Sequence, residues 1–221
     1  MSQKRIAANP EEVFGYQSLS WSYFLTGRFP EAESTLQRAS ERKLETPELQ
    51  LLRYTIAVLK GDQQQMDRAA GLARGKPRAE HWMAHEEALA LARSGRLQAA
   101  RRSSNRAVDL VSQGGEQETS AAYQAARAVW EAECGNAAES KRDATAALAL
   151  SKGRDVEYAA SLALALSGDS SRSQPLADDL EKRFPQDTFV KFTYAGPSRV
   201  SRAGARQACG QRGAAANRSS L

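Results

Sequence analysis

The chain has 221 residues, enough for one large domain or a short array of structural repeats. Hydrophobic residues make up 41% and charged residues 26%, and no apolar run reaches the roughly 18 residues that a membrane-spanning helix needs. The net charge of +5 belongs to residues 195–221, which hold five of the 31 basic residues and no acidic residue. Because residues 1–194 are neutral, a basic nucleic-acid-binding surface on the folded part is not supported.

The N-terminal segment, residues 1–10, carries Lys4 and Arg5 but no apolar stretch behind them. A secretory signal needs such a stretch directly after its basic residues. We therefore expect a cytoplasmic protein, with Cys134 and Cys209 present as reduced thiols.

Five glycines divide most of the chain at nearly regular intervals of 34, 34, 40 and 33 residues. Each follows an apolar, helix-favouring run and precedes a second such run, so each is expected to form the turn between two helices. Alanine and leucine dominate the apolar residues, which favours helix over strand. The five are Gly27, Gly61, Gly95, Gly135 and Gly168.

Small residues recur at a fixed distance from these glycines. Seven residues before the glycine, four of the five positions are small, and twelve residues after it, four of the five are alanine. Small side chains at fixed phase let neighbouring helices approach closely. The earlier set is Ser20, Tyr54, Ala88, Ala128 and Ser161, and the later set is Ala39, Ala73, Ala107, Ala147 and Leu180.

The first unit shows the fullest motif, in the segment from Tyr16 to Ala32, with Leu19, Ser20, Tyr23, Gly27 and Phe29 between them. This order, together with the period near 34, resembles the tetratricopeptide (TPR) consensus. The resemblance implies an all-α fold, a right-handed α-solenoid of about five helix–turn–helix repeats within residues 9–194. The expected units are 13–46, 47–78, 80–113, 116–152 and 154–186.

The interval of 40 residues between Gly95 and Gly135 is longer than the others. Gly114 and Gly115 lie inside it, and adjacent glycines favour a loop. We expect the six extra residues to lengthen the loop around Gly114 and the helix that follows it.

The C-terminal tail, residues 195–221, differs in composition from the rest. Its sizeable apolar residues are Val200 and Leu221, among Arg, Ala, Gly and Ser. Such a segment buries too little surface to offset its ordering entropy, so we expect disorder. Three origins stay open: translation of a frameshifted or truncated gene, an ordinary disordered terminus, and an arm that binds RNA or DNA.

The sequence contains one pair of histidines at metal-ligand spacing but no motif of a catalytic site. His81 and His85 are four residues apart on one expected helix, but they lack a third ligand other than adjacent carboxylates. No nucleophile elbow, phosphate-binding loop or kinase motif is present. We expect no catalytic, cofactor-binding or metal-binding residues, and therefore no enzyme activity.

The resemblance to TPR proteins implies that the first helix of each unit faces a concave surface that grips peptides. The residues it places there are Phe14, Gln17, Trp21, Leu51, Trp82, His85 and Tyr158. Aromatic side chains are frequent anchors in such interfaces. For Trp21 and Trp82, packing between units is an equally weighted alternative.

Four segments, residues 53–62, 146–157, 164–169 and 180–188, are similar to the C-terminal repeat regions of certain bacterial serine/threonine protein kinases. In that family a further unit follows the last segment. The expected function is a protein–protein interaction scaffold with a protein or peptide partner, and self-association through the last repeat is open. The alternatives are the detached regulatory region of a kinase signalling protein and, third, nucleic-acid binding through the tail.

Overall fold

The computed structural model describes residues 2–188 and residue 190, and the regular elements in this part of the chain are all helices. The expectation of an all-α fold is confirmed at that level. The helices are α1 (Ser2–Ala8), α2 (Val13–Leu25), α3 (Phe29–Glu41), α4 (Pro47–Lys60), α5 (Gln63–Ala73), α6 (Pro77–Arg93), α7 (Leu97–Gln113), α8 (Gln117–Glu133), α9 (Ala137–Leu150), α10 (Arg154–Leu166) and α11 (Ser170–Arg183).

The five glycines of the repeat lie in the turns of five successive helix pairs, from α2 with α3 to α10 with α11. All five have φ between +70° and +83°, a left-handed conformation that costs glycine little and other residues more. The next backbone N–H then bonds to a carbonyl of the preceding helix, as Asp62 N does to Ala57 O at 2.9 Å. The prediction that each of these glycines forms the turn between two helices is confirmed.

Both sets of phased positions are buried. Twelve residues after each glycine, Ala39, Ala73, Ala107, Ala147 and Leu180 are all at most 2% exposed. Seven residues before it, the side chains are at most 4% exposed, and Ser161 there exchanges hydrogen bonds of about 3 Å with Ser173 on the paired helix. The small residues therefore lie at helix–helix contacts, as their phase predicts.

The long interval between Gly95 and Gly135 does not lengthen a loop, so that part of the expectation is wrong, whereas the helix that follows, α8, is long as expected. Only residues 114–116 connect α7 to α8, and both helices have 17 residues. The alanine-rich sequences on either side continue the helix up to the glycines, because helix propensity is high there. The extra residues are absorbed by longer helices.

Helix α6 begins at Pro77, three residues before the expected start of the third unit at residue 80. Proline is well tolerated in the first turn of a helix, where its missing N–H would have no helical partner.

Helix α1 precedes residue 9, the expected start of the repeat domain. Its Ile6 is 5% exposed and joins the core that contains Tyr16 and Leu19. A Cβ added to Gly15 would lie 2.8 Å from Ile6 Cγ1, so glycine in α2 permits this close approach. No periodic apolar pattern predicts this helix, because a single apolar residue, Ile6, joins the core.

The chain divides into two compact units, one up to Glu86 and one from Glu87 onward, and α6 continues through the boundary. The first unit has one core of large apolar side chains and a second, smaller core in which three alanines pack with Tyr54 and Met83. The larger core includes Tyr16, Leu36, Leu49, Leu52 and Ile56. The second unit has cores made largely of alanine, completed by a few larger residues such as Trp130 and Leu164.

Candidate functional site

The second unit contains a groove of about 500 Å³ between the first helices of three successive pairs. Its lining residues belong to the C-terminal part of α6, to α8 and to α10. This volume is within the usual range for ligand sites. Its lining residues are Leu89, Ala92, Arg93, Ala126, Val129, Trp130, Glu133, Cys134, Tyr158, Ala159 and Leu162.

The body of the groove is apolar, and it is built from equivalent positions of the three pairs. Leu89, Val129 and Leu162 each lie six residues before the glycine of their own turn, and each is half-buried. Between them, alanines such as Ala126 and Ala159 keep the surface concave, because their short side chains do not fill the space above the helices. Equivalent positions of three helix pairs therefore form the apolar body of the groove.

The rim of the groove carries two opposite charges, Arg93 on α6 and Glu133 on α8. Both lie two residues before a turn glycine and both are exposed. Within the described part of the chain neither makes an ion pair or a side-chain hydrogen bond.

Two other polar groups line the groove. Cys134 is the C-cap of α8, half-buried and not in a disulfide. Tyr158 on α10 is half-buried, and burial raises the pKa of its hydroxyl. Both present polar atoms beside apolar surface, as binding grooves commonly do.

Buried ion pairs fix α8, the middle helix of the groove. Glu131, fully buried, accepts hydrogen bonds from Arg101 of α7 at 2.6 and 2.8 Å and from Asn136 at 2.8 Å. Arg127 Nε lies 2.7 Å from Asp143 Oδ2 of α9. Such pairs hold neighbouring helices in one register, since an unpaired buried charge is costly.

Of the residues predicted for a peptide-binding surface, Tyr158 lies in the groove. Phe14 is 62% exposed on α2, and Leu51 is half-buried on α4. Trp21 is half-buried against the first unit's core, with its ring edge-on to Phe24 at 5.5 Å between centroids. For Trp21 the structure thus combines packing with partial exposure.

Gln17 has a structural role that the sequence did not indicate. Its Nε2 donates to Thr46 Oγ1 at 2.9 Å and to Glu48 Oε2 at 3.2 Å. Thr46 is the N-cap of α4, and its hydroxyl accepts from Leu49 N. Gln17 therefore ties α2 to the start of the next pair.

Trp82 and His85 lie in the first unit, on the N-terminal part of α6. The Trp82 ring is half-buried and edge-on to His81 at 5.9 Å. Burial, and secondarily the charge of His81, lower the pKa of His85 from 6.5 to about 4. A neutral, largely buried imidazole is the dominant form at neutral pH.

Sequence reasoning missed most of the groove, although a signal for it exists. Leu89, Val129 and Leu162 share one position relative to the glycines. Trp82 was predicted for the binding surface because aromatic side chains are frequent anchors, but it does not line the groove. The rim charges Arg93 and Glu133 share a second such position.

Three results bear on other kinds of site. Within the described residues, no group of three or more His, Cys, Asp and Glu side chains could hold a metal ion. No helix in the same part of the chain combines the length and apolar character needed to cross a membrane. The predictions about Cys209 and about residues 195–221 fall outside the described residues.

Comparison of the chain with protein-family models, with curated proteins and with solved structures finds no match.

Proposed function

We propose that this chain is a protein-interaction module of the tetratricopeptide type, which holds a polypeptide partner in the groove of α6, α8 and α10. The observation that carries the proposal is the groove itself: an apolar body formed by equivalent positions of three successive helix pairs, with an open charge on each of two helices. Large apolar residues beside a few placed polar groups are typical of such interfaces.

The groove also lacks features expected of a reaction centre. Its titratable side chains are Arg93, Glu133, Cys134 and Tyr158, and burial raises the pKa of the Tyr158 hydroxyl instead of activating it. A general base needs a pKa near the working pH and a positioned proton donor beside it. We therefore propose binding without chemistry, in which recognition is the whole function.

The proposal is tested by site-specific photo-cross-linking. A photoreactive amino acid replaces Arg93 at the groove rim or, as the matched control, Arg102, an exposed arginine on α7 that does not line the groove. In cells that express the chain, we expect a discrete protein adduct from position 93 and none from position 102. Equal adducts at both positions, or none at either, would contradict the proposal.

A further inference from the structure

The first unit contains a cavity of its own, with a volume of about 400 Å³. It is lined by residues of α1, of the connection from α1 to α2, of α2 and of α3 with its C-terminal cap. None of these residues lines the groove of the second unit. The volume is within the usual range for small-molecule sites, so the cavity is a second candidate for ligand binding.

Most residues of the cavity are apolar. Three of them, Ile6, Tyr16 and Leu19, are at most 8% exposed, and Ala7 and Pro10 add further carbon surface. The hydroxyl of Tyr16 donates a hydrogen bond to the Pro10 carbonyl at 3.1 Å, so it is already engaged within the protein. A group that contacts these residues should therefore be apolar, because a polar group would lose its hydrogen bonds to water there.

Two arginines supply the charge of the cavity. The Arg38 guanidinium carbon lies 5.8 Å from the centroid of the Tyr16 ring, which places this cation beside a lining residue. Among the described residues Arg38 has no carboxylate partner, whereas Arg42 Nη1 lies 2.8 Å from Glu11 Oε1. One of the two positive charges is thus already balanced, and that of Arg38 can balance the charge of a ligand.

The charge and the shape of the Arg38 guanidinium select the kind of anion. One guanidinium balances one negative charge, and its planar pair of N–H groups matches the two oxygens of a carboxylate. A phosphate ester of this type carries about 1.5 to 2 negative charges at neutral pH, and the excess would lie unpaired beside buried apolar residues. These features favour a monocarboxylate over a phosphate.

We propose that the cavity binds a small organic monocarboxylic acid, whose apolar body contacts Ile6, Tyr16 and Leu19 and whose carboxylate pairs with Arg38. The inference does not rest on the proposed function, because the cavity belongs to the first unit and the groove to the second. It gives the first unit a ligand site of its own, with a chemistry different from that of the groove.

The two isoleucines of the chain, Ile6 and Ile56, provide an internal control for the test. Both are buried in the same core, but only Ile6 lines the cavity. The full chain is isotopically labelled at the isoleucine δ1 methyl carbons and titrated with hexanoate, and binding is followed by NMR. We expect the Ile6 signal to shift until it saturates and the Ile56 signal to stay in place.

Three further probes separate the contributions of charge and apolar contact. Hexanamide keeps the carbon chain of hexanoate without its charge, and acetate keeps the carboxylate without the chain. Each should bind about tenfold more weakly than hexanoate, because each makes only one of the two contacts. Hexyl phosphate, which carries more charge on the same chain, should also bind more weakly.

Substitutions of arginine test the assignment of the carboxylate. Arg38→Gln should weaken hexanoate binding about tenfold and leave hexanamide binding unchanged, since only the charged contact is lost. Arg38→Lys should fall between the two, because lysine keeps the charge but not the planar pair of donors. Arg68→Gln is the control, at an exposed arginine of α5 that does not line the cavity. An unshifted Ile56 signal verifies that each variant is folded.

Several outcomes would overturn the inference. A hexanoate titration without a saturable shift of Ile6 would exclude the cavity as a site. Equal affinities for hexanoate and hexanamide, or equal losses in Arg38→Gln and Arg68→Gln, would exclude the pairing with Arg38. Tighter binding of hexyl phosphate would exclude a monocarboxylate as the preferred ligand. The cross-linking from position 93 is independent of all these results, so the failure of either proposal is recognised separately.

Discussion

The two units of the chain use the same helix-pair pattern but fill it with different side chains. In the first unit, large apolar residues such as Leu49 and Leu52 are fully buried, and the ion pairs lie nearer the surface, with at least 24% of each side chain exposed. In the second unit, alanine dominates the core, and carboxylates of 0–10% exposure are paired with arginines.

Both units share the glycine turns and the buried small residues, whereas the side chains that fill the remaining contact differ between them. Alanine buries less apolar area than leucine and so contributes less to stability per residue. In the second unit, displacing one helix against the next would separate charged pairs such as Arg101 with Glu131. A buried charge would then be left unpaired, which lowers stability. The two units should therefore respond differently to the same kind of substitution.

The largest effect is expected in the second unit, from Arg101→Ala. Glu131 is fully buried, and without the arginine its carboxylate keeps only Asn136 as a partner from outside its helix. Breaking a buried pair in this way should lower the free energy of unfolding by about 3–5 kcal/mol, measured by urea denaturation. Arg102→Ala, one residue along and exposed, should change it by less than about 0.5 kcal/mol. Equal losses from both variants would show that the pair contributes nothing.

In the first unit, the corresponding effect should come from an apolar truncation, Leu52→Ala. Leu52 is 0% exposed, so the substitution removes apolar contacts and leaves a cavity. It should lower the free energy of unfolding by about 2–5 kcal/mol. Leu59→Ala on the same helix is the control, because Leu59 is 61% exposed. A loss from Leu59→Ala as large as that from Leu52→Ala would contradict the proposed burial.

The change in unfolding free energy with pH should come from His85 in the first unit, although the buried ion pairs are in the second unit. The folded pKa of His85 is about 4, below its ordinary 6.5, so the unfolded chain takes up this proton first. The stabilisation is complete above pH 6.5 and is lost as the pH falls from 6.5 towards 4. Between pH 7.5 and 5 the loss is about 2 kcal/mol.

The variant His85→Gln isolates this contribution, because the other titrating groups are shared with the parent chain. Its stability should fall less between pH 7.5 and 5, by about the same 2 kcal/mol. Urea denaturation at the two pH values gives the comparison. If the free energy of unfolding changes equally with pH in the parent and the variant, His85 has the same pKa in the folded and the unfolded chain, and the prediction is wrong.

The helix pairs were predictable from the sequence because their signals are local. A glycine such as Gly61 ends one helix and allows the tight turn into the next, whatever the rest of the chain does. Helix α1 was not predictable, since Ile6 gains its significance only from contact with Gly15 and the first core.

The lining of the groove could not be predicted from the sequence. Its residues belong to α6, α8 and α10, the first helices of three pairs, and of the seven residues predicted for a peptide-binding surface only Tyr158 is among them. Which side chains line it depends on how three helices pack, and half-buried aliphatic residues such as Leu162 resemble core residues in the sequence. Glu131 likewise occupies a position where Leu91 and Leu164 stand in the neighbouring pairs, so no periodic pattern identifies its ion pair.

The smallest of these effects concerns Gln17, which the sequence assigned to a binding surface and the structure bonds to Thr46 and Glu48. Gln17→Ala should lower the free energy of unfolding by about 1 kcal/mol, since it removes hydrogen bonds that are partly buried. The exposed neighbour Ser18 provides the control, and Ser18→Ala should stay within about 0.5 kcal/mol. Because Gln17 lies outside the groove of the second unit, peptide affinity there should be unchanged. A variant that keeps its stability but loses partner binding would support the prediction from the sequence that Gln17, in the first unit, takes part in recognition.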